Sequence, residues 1–402
     1  MATRLRFFGE FVALSKVFKV SIAALFATLA FGIYDFTIPY FTEDFATKYT
    51  IIAISISLVY VASFFAEVPV GLLTDRFGRR NVLLTAFGLM AIIGMGLYLT
   101  GHIIHLMILE FIFGIVAVAF WVPSTVLIRD YSPKKMFSQS QAIYLSFTQL
   151  GWIIGPMIAG AVATFFLLKH NFLIFSVLLA CGLAYSIVFV KKVKIKKRKI
   201  SSISRLFALT KSFKVYARAH AHALTLYFLS AAVYMWIGTQ WIFVQLASEH
   251  IFGFTELMAG FLLGAMMAIE GVLYYSSGYL MDKIGPRHIV ASGFILLCGS
   301  MLYAFISVSG VMFIFCMLLA AGAVAWILPG TEAIATKIMP KAEKRGELSG
   351  VFDSSKDLGL ILGPVVGGIL ADFFGTPIQP FLWIAIMAAV AAIVSARLWL
   401  KK

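Results

Sequence analysis

Four carboxylates and a lysine interrupt runs of residues that are otherwise apolar: Asp35, Glu110, Glu270 and Asp357, with Lys356 beside the last. An ionisable group in such a run costs about 2.5 to 3.5 kcal/mol on insertion scales, and it is retained where it binds a proton, a cation or a partner of opposite charge. Counted at 1.5 Å per residue from the ends of their runs, Asp35 and Glu110 share a depth of roughly 10 Å. Two carboxyls at one depth can share a proton, so all four are candidates for proton coupling. Two readings stay open for Asp35: proton or cation binding, and a capping or structural role beside Pro39. The same choice is open for Glu110. Glu270 and Lys356 fall near mid-depth, and Lys356 with Glu270 or Asp353 makes either a structural ion pair or a gating pair. Neighbours on a helix point about 100° apart, so Lys356 and Asp357 cannot both face one partner squarely.

The elements that hold these groups follow from composition. The 402 residues are 61% hydrophobic and 13% charged, with a mean hydropathy of +0.96, which excludes a soluble globule with a wet surface. A helix needs about 20 apolar residues to cross a hydrocarbon core roughly 30 Å thick. Twelve runs qualify, near 18–42, 51–73, 81–100, 103–128, 138–166, 171–190, 220–247, 256–280, 288–307, 310–336, 346–371 and 377–399. The expected fold is an all-α integral membrane protein of twelve spans in two six-helix bundles, residues 1–190 and 220–402, joined by a basic linker, 191–219.

Basic residues set the orientation, because Lys and Arg near helix ends stay on the cytoplasmic side. Of the 33, only Lys48, Lys169 and Lys356 fall elsewhere than the two termini, the linker and the loops after spans 2, 4, 8 and 10. Both termini are therefore expected in the cytoplasm of a multi-pass plasma-membrane protein. The net charge of +15 then needs no nucleic acid. Its densest stretch, Lys191 to Lys199, faces anionic lipid headgroups, at roughly 1 kcal/mol per basic residue. The linker tail from Ser204 to Arg218 suits an amphipathic surface helix. Arg4, Arg6, Glu10 and Lys16 interrupt the first residues, unlike a cleavable signal. Cys181, Cys298 and Cys316 all fall in spans, so no disulfide, metal cluster or catalytic thiol is expected. No nucleotide loop, metal-ligand spacing or nucleophile paired with a base is present, so neither a cofactor nor an enzymatic reaction is expected.

The two halves are copies. Gly71-Leu-Leu-Thr-Asp75-Arg76-Phe-Gly78-Arg79-Arg80 recurs as Gly278-Tyr-Leu-Met-Asp282-Lys283-Ile-Gly285-Pro286-Arg287, 207 residues on. Gly151-Trp-Ile-Ile-Gly155-Pro156-Met-Ile-Ala-Gly160 recurs 208 residues on as Gly359-Leu-Ile-Leu-Gly363-Pro364-Val-Val-Gly367-Gly368. The first motif, in a six-plus-six chain of this length, resembles the major facilitator superfamily. The Gly-Pro element in span 5 is similar to a signature of its drug:proton antiporter branch, although the copy in span 11 favours a packing role for Gly155, Pro156, Gly363 and Pro364. The resemblance implies two bundles about a central cavity that opens alternately to either side, with substrate near the midplane. Glu110, four residues before Gly114, stands where antiporter relatives carry an arginine, which departs from that branch.

The loop motif also has a physical reading. Gly71 is expected to let helix 2 approach a neighbour, and Gly78 to permit a tight turn. Asp75 would sit at the positive N-terminal end of helix 11, while Arg76, Arg79 and Arg80 pair with carboxylates or carbonyls of the other half. Together with Asp282 and Arg287 they form either a cytoplasmic latch or a positive-inside anchor. Tyr34, Tyr234, Trp236, Gln240, Trp241 and Lys356 make a candidate aromatic and polar substrate wall, suited to flat or amphiphilic cations, against the plainer reading of packing and interface belts. The reading that joins these features is a monomeric secondary transporter, exporting amphiphilic small molecules in exchange for protons. Uptake of a small metabolite and lipid flipping are the alternatives.

Overall fold

In hydrocarbon every backbone N–H and C=O must be satisfied within the segment, and the computed structural model obeys this with helices alone. It describes residues 2–133, 136–191, 221–338 and 345–400. Among these there are twelve helices and no strands: α1 (Ala2–Glu43), α2 (Tyr49–Phe77), α3 (Arg79–Leu99), α4 (Ile103–Tyr131), α5 (Phe137–Phe165), α6 (His170–Phe189), α7 (Ala221–His250), α8 (Glu256–Ile284), α9 (Pro286–Phe305), α10 (Gly310–Ile338), α11 (Arg345–Phe374) and α12 (Gln379–Leu400). By length and composition all twelve are able to cross a membrane, as the apolar runs predict. The expected surface helix and nearly all of the linker, 192–219, lie outside the described residues.

The chain divides into two compact units, residues 1–45 with 61–200, and residues 46–60 with 201–402. In the first, α1 packs on α5, α6 and α4, and α3 on α6 and α4. In the second, α7 packs on α11, α12 and α10, and α9 on α12 and α10. The two lists correspond helix by helix, as tandem copies should. The exception is residues 46–60, which the sequence division assigns to the first bundle and which here group with the second.

Small residues let paired helices touch backbone to backbone, which replaces the missing hydrophobic drive between helices in lipid. A Cβ built on Gly155 would lie 2.8 Å from the Gly32 Cα and the Leu29 carbonyl oxygen, and one on Gly32 would lie 2.9 Å from the Pro156 Cδ. The second unit repeats the device: a Cβ on Gly238 would lie 2.8 Å from the Leu360 carbonyl oxygen and 3.0 Å from the Pro364 Cδ. Gly363 is pressed against the Met235 backbone in the same way. Gly71 and Gly278 are different. Among the described residues a Cβ on either meets nothing within 4 Å, so the close approach expected at Gly71 has no partner among them. A glycine spacing marks a possible contact, and only the neighbour's azimuth decides whether it exists.

Two outcomes follow. Gly155→Val should lower the apparent melting temperature in detergent, by an overpacking term of about 1–3 kcal/mol. Gly71→Ala should leave it unchanged or slightly raised, since alanine favours helix. Thermal unfolding followed by size-exclusion chromatography distinguishes the two.

Candidate functional site

The turn between α2 and α3 is one residue long. Gly78 takes φ 90° and ψ 138°, and its repeat Gly285, between α8 and α9, takes φ 88° and ψ 144°. Residues with a side chain avoid this region, so glycine is required at both. Proline at the first position of α9 suits its N-terminus, where no N–H partner is needed.

This turn aims Arg79 and Arg80 at the ends of neighbouring helices. Arg79 forms an ion pair with Asp130 in the last turn of α4, both half-buried. Arg80 donates from Nε to the Val190 carbonyl at 2.5 Å and from Nη2 to the Ile187 carbonyl at 2.7 Å. Those carbonyls close α6, where a cation offsets the negative end of the helix dipole. Tyr131 donates its hydroxyl to the Lys191 carbonyl beside them. The partners of both arginines belong to the same unit, where the sequence placed them in the other half. Arg76 lies 5.3 Å from the Phe77 ring, and its repeat Lys283 lies 4.4 Å from the Tyr279 ring. Asp75, Asp282 and Arg287 are exposed. The expected seat of Asp75, the first turn of α11, has its side chains outside the described residues.

In the first unit, Tyr34 packs 4.4 Å from Phe113 and 5.8 Å from Phe175, and is 2% exposed. Glu110, three residues before Phe113 on the same face of α4, is fully buried. Asp35 is about 100° around α1 from Tyr34 and keeps part of its surface accessible.

In the second unit four helices bring a polar cluster together. Lys356 on α11 donates to Glu332 on α10 at 2.6 Å and to Asp353, one turn back, at 2.8 Å. Its ammonium lies 4.6 Å from the Phe352 ring and 6.0 Å from the Tyr234 ring of α7. Glu270 on α8 is 6% exposed and accepts from the Tyr274 hydroxyl at 3.4 Å. Its other oxygen has no hydrogen-bond partner among the described residues. Lys356 thus pairs with Asp353, one of the two partners expected, and with Glu332. Asp357, the next residue, is half-buried and lies within electrostatic reach of Tyr234. Of the proposed substrate wall, Tyr234 and Lys356 keep accessible surface, whereas Gln240 and Trp241 are buried. Tyr34 and Trp236 fill helix contacts instead, the latter fully buried 6.2 Å from Phe381. An aromatic ring in a span packs against whichever helix its azimuth meets, and composition does not give that azimuth.

No group of three or more potential metal ligands occurs among the described residues. A family model of the Major Facilitator Superfamily matches residues 20–248 and 226–402. The chain belongs to that superfamily. An uncharacterized MFS-type transporter of Methanocaldococcus jannaschii is 25% identical over 82% of this chain and 84% of its own. The multi-drug resistance efflux pump PmrA of Streptococcus pneumoniae is 27% identical over 81% and 80%, and the class B tetracycline resistance protein of Escherichia coli 24% over 88% and 86%. Among solved structures, the nucleoside transporter NupG superimposes with a TM-score of 0.78 at 12% identity, over 96% of this chain and 100% of that one. A bacterial homolog of the lysosomal transporter Spinster gives 0.77 at 14%, over 98% of each. At such identities these likenesses speak for the fold alone. The chain is a multi-pass membrane transporter and not an enzyme.

The Arg79–Asp130 pair predicts a measurable coupling. Arg79→Gln and Asp130→Asn should each lower apparent stability, and the double variant should fall short of their sum by about 1 kcal/mol. Additive losses in a thermal double-mutant cycle would dissolve the pair as an energetic unit.

Proposed function

We propose that this transporter exports amphiphilic small molecules, cations foremost, from the cytoplasm in exchange for protons, by alternating access in the plasma membrane with both termini inside. Glu270 carries the reading. Within a span it is nearly fully buried, it has one weak hydrogen bond, and it makes no ion pair among the described residues. Such a carboxyl can take up and release a proton without breaking a salt bridge, unlike Asp353, which Lys356 holds. Burying an uncompensated charge is expensive, so the proton's arrival or departure alters the stability of its surroundings enough to drive a change of state.

The rest of the cluster suits the cargo. In the second unit Glu270, Glu332, Asp353 and Asp357 outnumber Lys356, and the Tyr234 ring beside them is accessible. An excess of negative charge beside aromatic faces favours an organic cation with a flat or greasy body. Asp35, half-buried within α1, and the fully buried Glu110 are the proton candidates of the first unit. The relative named as a multi-drug resistance efflux pump supports the outward direction. Substrate and proton then compete, and linkage requires each to weaken the other's binding by the same factor.

In liposomes with an imposed proton gradient, internal pH is recorded as amphiphilic cations are added. The parent should move protons when a cation is supplied. Glu270→Gln should lose about ten-fold or more of that movement, because an amide carries no titrating proton, while cation exchange at equal pH on both sides persists. Proton movement that survives in Glu270→Gln moves the site to Asp35 or Glu110, tested by Asp35→Asn and Glu110→Gln. Uptake of a neutral metabolite with no response to any cation would sink the export reading.

A further inference from the structure

α2 is one unbroken helix whose two parts keep different company. Residues 46–60 group with the second unit and those from Val61 onward with the first. What fixes the first part is α11. The Asp372 carboxylate accepts hydrogen bonds from the Tyr49 N–H at 2.7 Å and from the Thr50 N–H at 2.9 Å, one to each oxygen. One turn earlier, a Cβ on Gly368 would lie 2.8 Å from the Tyr49 carbonyl oxygen and 2.9 Å from the Ala53 Cβ. The Tyr49 ring lies 6.5 Å from Phe243 of α7. The first N–H groups of a helix have no partner inside it. A carboxylate there gains from charge-assisted hydrogen bonds and from the positive end of the helix dipole. Asp372 is therefore the N-cap of α2, lent by a helix more than 300 positions away in sequence.

The tandem repeat shows that this loan is specific to one place. α8 repeats α2 and is capped by its own chain, where the Thr255 hydroxyl accepts from the Met258 N–H at 3.3 Å. The residue 207 positions before Thr255 is Lys48, whose ammonium has no acceptor to offer. At the lending end, Gly368 repeats Gly160, but the counterpart of Asp372 is Thr164. The cap that α8 takes from its own chain is thus supplied to α2 by α11. A local cap would satisfy α2 in every conformation. A remote cap satisfies it only while its first turns stay on α11.

We propose that Asp372 is a positioning residue of the transport cycle, a clasp that holds the first turns of α2 on α11 in one conformation and must release in the other. This rests on the alternating-access reading above. The clasp makes the stability of α2's first turns conditional on the state of the transporter, and so biases the equilibrium between states.

The test uses the full chain in liposomes, with Cys181, Cys298 and Cys316 replaced and Ala53→Cys introduced. Ala53 is fully buried against Gly368, so its modification by a membrane-impermeant maleimide reports release. Asp372→Asn keeps the shape and one acceptor, and should speed labelling roughly tenfold, the factor that matches a lost charged cap. Adding Lys48→Thr, which restores a local cap, should not return labelling to the parent rate. With a fluorescent amphiphilic cation as substrate, Asp372→Asn should alter the saturating rate and leave the half-saturation concentration unchanged. Labelling no faster in Asp372→Asn overturns the clasp. Full rescue by Lys48→Thr reduces Asp372 to a plain helix cap, and an unaltered saturating rate removes it from the cycle. Should Asp372→Asn fail to insert, Gly368→Ala pushes on the same contact and must also label faster, or the clasp falls. A parent that moves no cation defeats the export reading, and the labelling still decides the clasp.

Discussion

Backbone contact through glycine is the constraint on which both units rest. Lipid tails are as apolar as the side chains they touch, so burial alone does not drive one transmembrane helix onto another, and close packing must do so. Gly32 against Gly155 and Pro156, and Gly238 against Pro364 and Leu360, bring α1 to α5 and α7 to α11 at distances a single methyl group would forbid. The chemistry is threaded along these seams. Asp35 lies one turn beyond Gly32, Tyr234 one turn before Gly238, and Lys356 one turn before Gly359, which is itself pressed against Tyr234. Asp35, Tyr234 and Lys356 are thus set beside the closest helix contacts of their units.

Charges near those seams are treated in two ways. Lys356 is held by two carboxylates and flanked by rings, so moving it means breaking several interactions together. Glu270 is held by one long hydrogen bond. Under the proposed exchange of protons for cargo, the first arrangement would present a surface to the cargo and the second would register a single proton.

Much of this was readable from residues alone. Length and apolar content gave all twelve helices, because the bilayer admits few other solutions. The duplicated Gly78 and Gly285 were readable as turns, because only glycine tolerates that backbone region, and the Gly-Pro elements as packing sites, because a missing Cβ lets a neighbouring helix come into backbone contact. What escaped was azimuth. Periodicity gives depth, yet a step of one residue turns a side chain by about 100°, so Tyr34 and Trp236 went into helix contacts while Tyr234 stayed accessible. Partners of charges escaped for the same reason: Arg80 met backbone carbonyls, which carry no sequence signal, and Lys356 chose Glu332 as well as Asp353. Asp372 left a trace that only comparison of the two copies reveals, a lysine where the repeat has threonine.

The one-residue turns have a mechanical meaning. A long loop absorbs displacement, since each of its bonds takes up a little of the rotation. Between α2 and α3, and again between α8 and α9, a single glycine separates two helices of twenty residues or more. Gly78 and Gly285 leave little chain to take up a displacement, so the joined ends of α2 and α3, and of α8 and α9, must travel together. Any change of angle within each pair falls on the backbone of one residue without a side chain, the residue type freest to make it.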